Sequence, residues 1–461
     1  MANFWDYSVW GGVSLVAVLL LSLLLANVLK RKIPLLKKSL IPTSVLGGLL
    51  LLVISIVYKS VSGADLFNAP FFGGNGITVL ETITYHSLAI GFIATSFKPS
   101  KERINKKRTG EVFNTGLTTV ATYLIQGVVG LAITLFATTF VLKEFFPAAG
   151  ILLPFGYGQG TGQAMNYGNI YEMDYGFVGG KSFGLTIAAL GFLSASLGGV
   201  IHLHLLKRKG KFKGAGEETA EQYSGDDIQT AEEIPMNGSM DKITVQLGFV
   251  FIAYFIAYLV MYGLGALLPG LKSILYGFNF LFGVLVAVAV NSVLAVLRRK
   301  GVMKRQYINT FLMNRISGFF FDIMIVAGIA AIQLDVLKGY WGILLALGVA
   351  GLLITYGYVL FVCRKLFPDY SEEQFLAMYG MLTGTASTGI ILLREVDKNL
   401  SSFAAENLVY QNLPAIVFGF PMMIVATLAP QIPLITLGII VVYFIILNII
   451  LFRTKIFKKK K

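Results

Sequence analysis

One cysteine, three histidines and only 13% charged residues stand in a chain of 461. Each scarcity removes a class of chemistry. Cys363 is alone, so it closes no intramolecular disulfide. His202 and His204 sit at a basic segment end, and with His86 they make no set spaced for metal ligation. No nucleophile stands beside a base in a hydrolytic pattern. No glycine segment carries the lysine of a phosphate loop, so direct drive by ATP is not expected. The expectation is a protein that is not an enzyme and holds no cofactor or resident metal. Charge is sparse beside the roughly 25% of an ordinary soluble domain. What charge there is leans basic, at +14 net. That balance reads as loop charge that orients membrane spans, not as a nucleic-acid surface.

What the chain does have is long apolar runs. Hydrophobic residues make up 56% of it, and the mean hydropathy is +0.73. A span needs about 20 such residues. Spans are expected at 9–29, 40–58, 77–97, 112–142, 177–206, 243–267, 274–297, 312–332, 340–363, 410–430 and 434–452. The first is too long for a signal-peptide core and lacks a small-residue cleavage pattern. The fold class is therefore an all-α polytopic membrane protein with about 11 transmembrane helices.

Two glycine-rich segments interrupt this pattern, near 145–168 and 374–394. They contain Pro154-Phe-Gly-Tyr-Gly-Gln-Gly-Thr-Gly-Gln163 and Gly380-Met-Leu-Thr-Gly-Thr-Ala-Ser-Thr-Gly389. Backbone that leaves the helix at membrane depth survives only when buried in protein or lining a polar cavity. Each segment is read as re-entrant. Loop charge supports this: with the N-terminus outside, inside segments carry 29 lysines and arginines and outside loops carry four (Lys59, Lys143, Lys272 and Lys338). A full crossing by either segment would spoil the asymmetry.

The same topology divides the chain into two five-span inverted repeats, 1–206 and 243–430, each with a re-entrant loop. Between them lies a polar linker, 207–242, expected to be mobile and cytoplasmic. Residues 431–461 add an extra span and the basic tail Phe457-Lys-Lys-Lys-Lys461. Two broken segments at matching positions point to a transporter with its site between them.

The loops supply neutral oxygens, amides and exposed backbone. Gly158, Gln159, Gly160, Thr161 and Gln163 come from the first, and Thr385, Ser387 and Thr388 from the second. Hydroxyls and carbonyls suit Na⁺, here from Thr161, Gly384, Thr385, Ser387 and Asn412. Helix N-termini suit a carboxylate. Arg394 is a candidate for bidentate carboxylate capture, or else pairs with Glu395 and Asp397 at a solvated loop base. Asn412 precedes Pro414, which frees a carbonyl at the start of span ten. Close packing of small residues is the plain alternative for the glycines. Asp322, Glu81 and His86 are candidates for a proton or charge relay. Arg315 shares a helical face with Asp322, and His86 also reads as a hydrogen-bonded interior histidine.

With these motifs in hand, the chain resembles the bacterial sodium/glutamate symporter family. The likeness lies in Gly156-Tyr-Gly-Gln-Gly-Thr-Gly162 and Gly380-Met-Leu-Thr-Gly-Thr-Ala-Ser-Thr-Gly389, in the inverted halves and in the central linker. The resemblance implies Na⁺-coupled symport of a small carboxylate, with glutamate the first choice. It also implies a homodimer in the cell membrane in which a transport domain holding the loops slides against a static one. Related families with the same loop logic carry citrate or malate, so a proton-coupled or exporting carrier of another organic anion is an alternative. A passive channel is another, since re-entrant loops also build selectivity filters.

Overall fold

In the computed structural model, residues 3–97, 106–210, 233–236, 240–398, 400 and 402–456 are described. Among them the regular structure is helical, with one isolated bridge between Glu233 and Gln306. The principal helices are α1 (Tyr7–Lys32), α2 (Thr43–Ser62), α3 (Gly76–Ser96), α4 (Lys106–Phe140), α5 (Leu152–Tyr175), α6 (Gly180–Arg208), α7 (Lys242–Leu267), α8 (Asn279–Arg299), α9 (Thr310–Ala330), α10 (Trp341–Leu366), α11 (Ser371–Leu382), α12 (Ala386–Arg394), α13 (Ala404–Tyr410), α14 (Asn412–Leu428) and α15 (Pro433–Leu451).

Among the described residues ten helices are long and apolar enough to cross a membrane, and an eleventh span arises if α13 and Pro414–Leu428 count as one. The fold is that of a polytopic membrane protein. Apolar side chains cover surface that water would not tolerate in such runs. Phe251, Ile252, Phe255 and Leu259 of α7 are exposed, as are Leu434, Ile435, Val442, Ile445 and Ile449 of α15. Lipid is the natural solvent for those faces.

The helix ends follow local chemistry. α2 and α5 stop at Gly63 and Gly176, each in the left-handed conformation that glycine accepts without steric cost. Span ten departs from the expected single helix. It begins earlier, at Ala404, and bends by 54°. Pro414 has no N–H to give the preceding turn, so the helix is broken there.

The chain forms two compact units. The first gathers the described residues within Met1–Ile77, Ile104–Glu217 and Gly328–Lys461, and the second those within Thr78–Arg103 and Glu218–Ala327. In the first, a buried cluster joins α10, α11, α12 and α13 through Val359, Cys363, Phe375, Tyr379, Leu392 and Leu408. The second has its own core of Ile93, Phe97, Val250, Ala253, Ala287 and Ile316.

The linker reading needs a correction at its C-terminal end. Residues 211–232 and 237–239 lie outside the described residues, as does the tail from Phe457 onward. Glu233 and Lys242, however, form a buried ion pair at 2.8 Å, and Asn309 Nδ2 donates to the same Glu233 oxygen at 2.6 Å. Ile234 N–H also donates to the Gln306 carbonyl. A lysine that is 1% exposed needs a counter-charge, and this end of the linker supplies it.

Candidate functional site

Both glycine segments are folded hairpins within the first unit. In the first, Phe155 and Tyr167 stack with ring centroids 3.7 Å apart. Twelve residues along an unbroken helix would separate them by about 18 Å. The reversal is confined to Gly160, whose φ of 77° and ψ of −169° lie where only glycine is comfortable. The sequence reading took the whole 154–163 alternation as irregular backbone. Its neighbours are helical instead, because the remaining glycines act in close packing. A Cβ on Gly156 would lie 2.7 Å from Ile187, and one on Gly158 only 2.1 Å from the Tyr123 ring.

The second hairpin pairs α11 with α12 across Thr383–Thr385. Its arms meet glycine to glycine, since a Cβ on Gly380 would lie 2.7 Å from Gly389 Cα. Thr385 caps α12: its Oγ1 accepts from the Thr388 N–H at 3.4 Å. Thr385 is half-buried, Ser387 exposed and Thr388 buried.

The two hairpins come together on α6. A Cβ on Gly191 would stand 2.7 Å from the Thr383 carbonyl oxygen and 3.2 Å from Tyr157 Cα, so the helix touches both near their tips. One turn away, Ser194 ties them again. Tyr157 Oη and Ser194 Oγ are 2.8 Å apart, and Tyr379 Oη donates to the Ser194 carbonyl at 2.8 Å. α4 and α10 complete the frame. Tyr123 Oη donates to the Gly158 carbonyl at 3.1 Å, and Tyr157 Oη donates to that of Gly348 at 2.6 Å. Gln126 Nε2 donates to Thr355 Oγ1 at 2.8 Å and to the Leu382 carbonyl at 3.0 Å.

Two polar atoms in this neighbourhood have no partner among the described residues. They are Gln126 Oε1 and Gln163 Nε2, an acceptor and a donor on side chains no more than 1% exposed. Gln163 Oε1 accepts from Asn166 Nδ2 at 3.3 Å. Thr161 is fully buried, and a Cβ on Gly328 would lie 2.8 Å from it. Both second arms, 161–175 and α12, begin at a tip. Their first N–H groups and positive dipole ends are therefore directed there.

The first hairpin carries Gly158, Gln159, Gly160, Thr161 and Gln163 near its tip and the second carries Gly384, Thr385, Ser387 and Thr388, and α6 abuts both at Gly191. Asn412 joins them through Gln411, whose Nε2 donates to Asn412 Oδ1 at 3.0 Å and meets the sulfur of Met381, two residues before Thr383, at 3.4 Å. Arg394 ends α12, about 12 Å along the helix from its first residue. It belongs to the hairpin base, with Glu395 and Asp397, not to the tip. Asp397 accepts there from the Ser402 N–H at 2.7 Å.

Glu81, His86 and Asp322 belong to the second unit. His86 Nδ1 lies 2.7 Å from Tyr254 Oη, which also accepts from Asn279 Nδ2 at 3.2 Å. The hydrogen bond is the one the plainer reading expects, but the side chain is exposed and not interior. The Arg315 guanidinium stands 5.1 Å over the Phe311 ring.

Tyr123, Gln126, Gly191, Ser194 and Thr355 were not singled out from sequence. Gln126 carried a usable signal, an amide in the middle of an apolar span. Elsewhere in the first unit a cavity of about 330 Å³ is lined by Lys59, Asp65 and Asp335 among apolar side chains. Its charges are paired: Lys59 bridges both aspartates, and Lys59 with Lys338, which lies outside the lining, holds the Asp335 carboxyl below its ordinary range. Comparison of the chain with models of known families returned no match, and no curated protein searched matched it.

Proposed function

We propose that this chain is a secondary active transporter that couples Na⁺ influx to uptake of a small carboxylate, with glutamate the substrate to test first. The observation that carries the reading is the meeting of two broken hairpins on Gly191. Each directs a helix N-terminus to its tip, beside a buried donor and acceptor with no partner among the described residues. Helix N-termini favour an anion. Unsatisfied amide groups in an apolar bundle favour a polar ligand that completes them. Thr161, Gly384, Thr385, Ser387 and Asn412 offer oxygens for Na⁺, and Gln159, Gln163 and Thr388 offer polar contacts to the substrate.

The proposal extends to topology. The charge asymmetry between alternate loops supports a cell-membrane protein with the N-terminus outside and the linker and C-terminus cytoplasmic. The order of five spans with a hairpin before the fifth recurs in both halves, which supports an inverted repeat. A homodimer follows from the family resemblance.

The test is uptake into proteoliposomes. Labelled glutamate accumulates against its gradient under an imposed inward Na⁺ gradient, and does not when choline replaces Na⁺. Accumulation driven by a proton gradient alone would replace Na⁺ with H⁺ as the coupling ion. Equilibration without accumulation under any gradient would indicate a passive pore and overturn the reading.

A further inference from the structure

Outside the tips, a second polar cluster is buried between α4, α11 and α13 of the first unit, and hydrogen bonding dictates its orientation. Thr115 Oγ1 donates to the Glu111 carbonyl at 2.8 Å, so towards Gln374 it acts only as acceptor. Gln374 Nε2 donates to it at 3.3 Å. Gln374 Oε1 therefore faces Asn407 and accepts from Asn407 Nδ2 at 3.0 Å. Tyr370 gives the same answer independently. Its hydroxyl donates to Glu111 Oε2 at 2.9 Å, and so accepts from Asn407 Nδ2 at 3.0 Å. Flipping the Asn407 amide would set oxygen against oxygen at Gln374 and leave Tyr370 without its donor.

Asn407 Oδ1 is thus directed away from these partners. The side chain is fully buried, and the oxygen has no partner among the described residues. One turn further on stands Gln411, 2% exposed. Its Nε2 is taken by Asn412 Oδ1, leaving Oε1 without a partner. Residues four apart on a helix have neighbouring side chains. Both amide nitrogens reach towards α11, Asn407 to Gln374 and Gln411 to Met381, so the two side chains lie along the same seam.

Two buried acceptors without donors call for a cation or a donor. The charge nearby is already matched, because Glu111 is paired with Arg108 at 2.6 Å. A neutral set of amide and hydroxyl oxygens suits a monovalent ion, whereas a divalent ion requires carboxylates.

We infer that Asn407 Oδ1 and Gln411 Oε1 form part of a Na⁺ site along the second hairpin, beside Asn412 and apart from the threonines of the tips. The inference concerns binding alone and stands or falls apart from the transport reading.

The test measures thermal unfolding of the purified, detergent-solubilised protein against Na⁺ concentration, with choline holding ionic strength constant. The wild type gains stability saturably with Na⁺. Asn407→Leu and Gln411→Leu each raise the half-saturating Na⁺ concentration tenfold or more, and Ser292→Ala, which removes an exposed hydroxyl of the second unit, leaves it within twofold. Direct binding of radiolabelled Na⁺ to Gln411→Ala, a milder change, gives a second readout and is expected to weaken equally. A wild type that does not respond to Na⁺ means water alone sits there, and overturns the inference. So does a Na⁺ response that shifts with Thr385→Ala and not with the two seam variants; that outcome would locate the ion at the tips and leave the transport reading intact.

Discussion

Gly380 and Gly389 face each other across the second hairpin so closely that a Cβ on the first would lie 2.7 Å from the Cα of the second. The arms touch backbone to backbone, and backbone cannot yield as a flexible side chain can. Gly380→Val and Gly389→Val are expected to destabilise the protein by about 1–3 kcal/mol through overpacking. Thermal unfolding in detergent measures this. The half-buried Gly248, with nothing among the described residues within 4 Å of its Cβ position, is the control; Gly248→Ala is expected to be neutral or slightly stabilising.

Gly160 makes a different demand. Its φ of 77° with ψ near 180° is available essentially to glycine alone. Gly160→Ala should cost about 1–3 kcal/mol. Uptake should fall more than stability, because the first helix N-terminus would be misaimed. A variant with unchanged unfolding temperature and unchanged uptake would show that the break is dispensable.

Ser194 joins the two hairpins through tyrosine hydroxyls. Removing the Tyr157 hydroxyl leaves Ser194 Oγ without its partner, and Tyr157→Phe is expected to cost about 1–3 kcal/mol. Tyr379→Phe should cost a similar amount. Because both bonds end on one residue, the double variant should lose less than the two single losses added together. Strict additivity would mean the hairpins are fastened independently.

Glu372, at the start of α11, accepts from His202 Nε2 at 2.9 Å, with Arg364 at 3.5 Å. The His202 bond, chiefly, holds its carboxyl below its ordinary value of 4.5, against an opposing burial effect. A depressed folded-state value means the stabilisation is fully present above about pH 4.5 and fades as pH falls through the lower folded value. Unfolding temperature should therefore drop on acidification below that point, and Glu372→Gln should drop less steeply. Equal slopes for the two proteins would exclude this contribution.

Lys242 and Glu233 are both nearly inaccessible. Removing one charge strands the other, so Lys242→Met alone is expected to destabilise by about 3–5 kcal/mol. Combining it with Glu233→Gln should recover part of that loss, because no charge is then left buried alone. A double variant worse than the single would mean that the hydrogen bond from Asn309 outweighs the ion pair.

The eleven apolar runs lie close to the observed helices because a span is a local property of length and hydropathy. The hairpin positions were equally legible: glycines and hydroxyls interrupting an apolar pattern are visible residue by residue. The partners of the hairpins were not. Ser194 and Thr355 read as ordinary residues of apolar spans, and only packing of α6 and α10 against the hairpins and Gln126 gives them their partners. Arg394 has two readings, at the tip or at the hairpin base, and its place at the end of α12 agrees with the second. It is near the motif in sequence but a full arm away in space, since helix rise separates what chain order places together.

By itself, the sequence determined that this is a helical membrane protein with two interrupted segments, because hydropathy and glycine content act locally. Tertiary structure decided which glycine breaks a helix and which only allow contact. The same residue serves either purpose, and the choice depends on what stands within 4 Å of it. It also decided which buried amides are satisfied, since a hydrogen-bond partner hundreds of residues away is written in no local pattern.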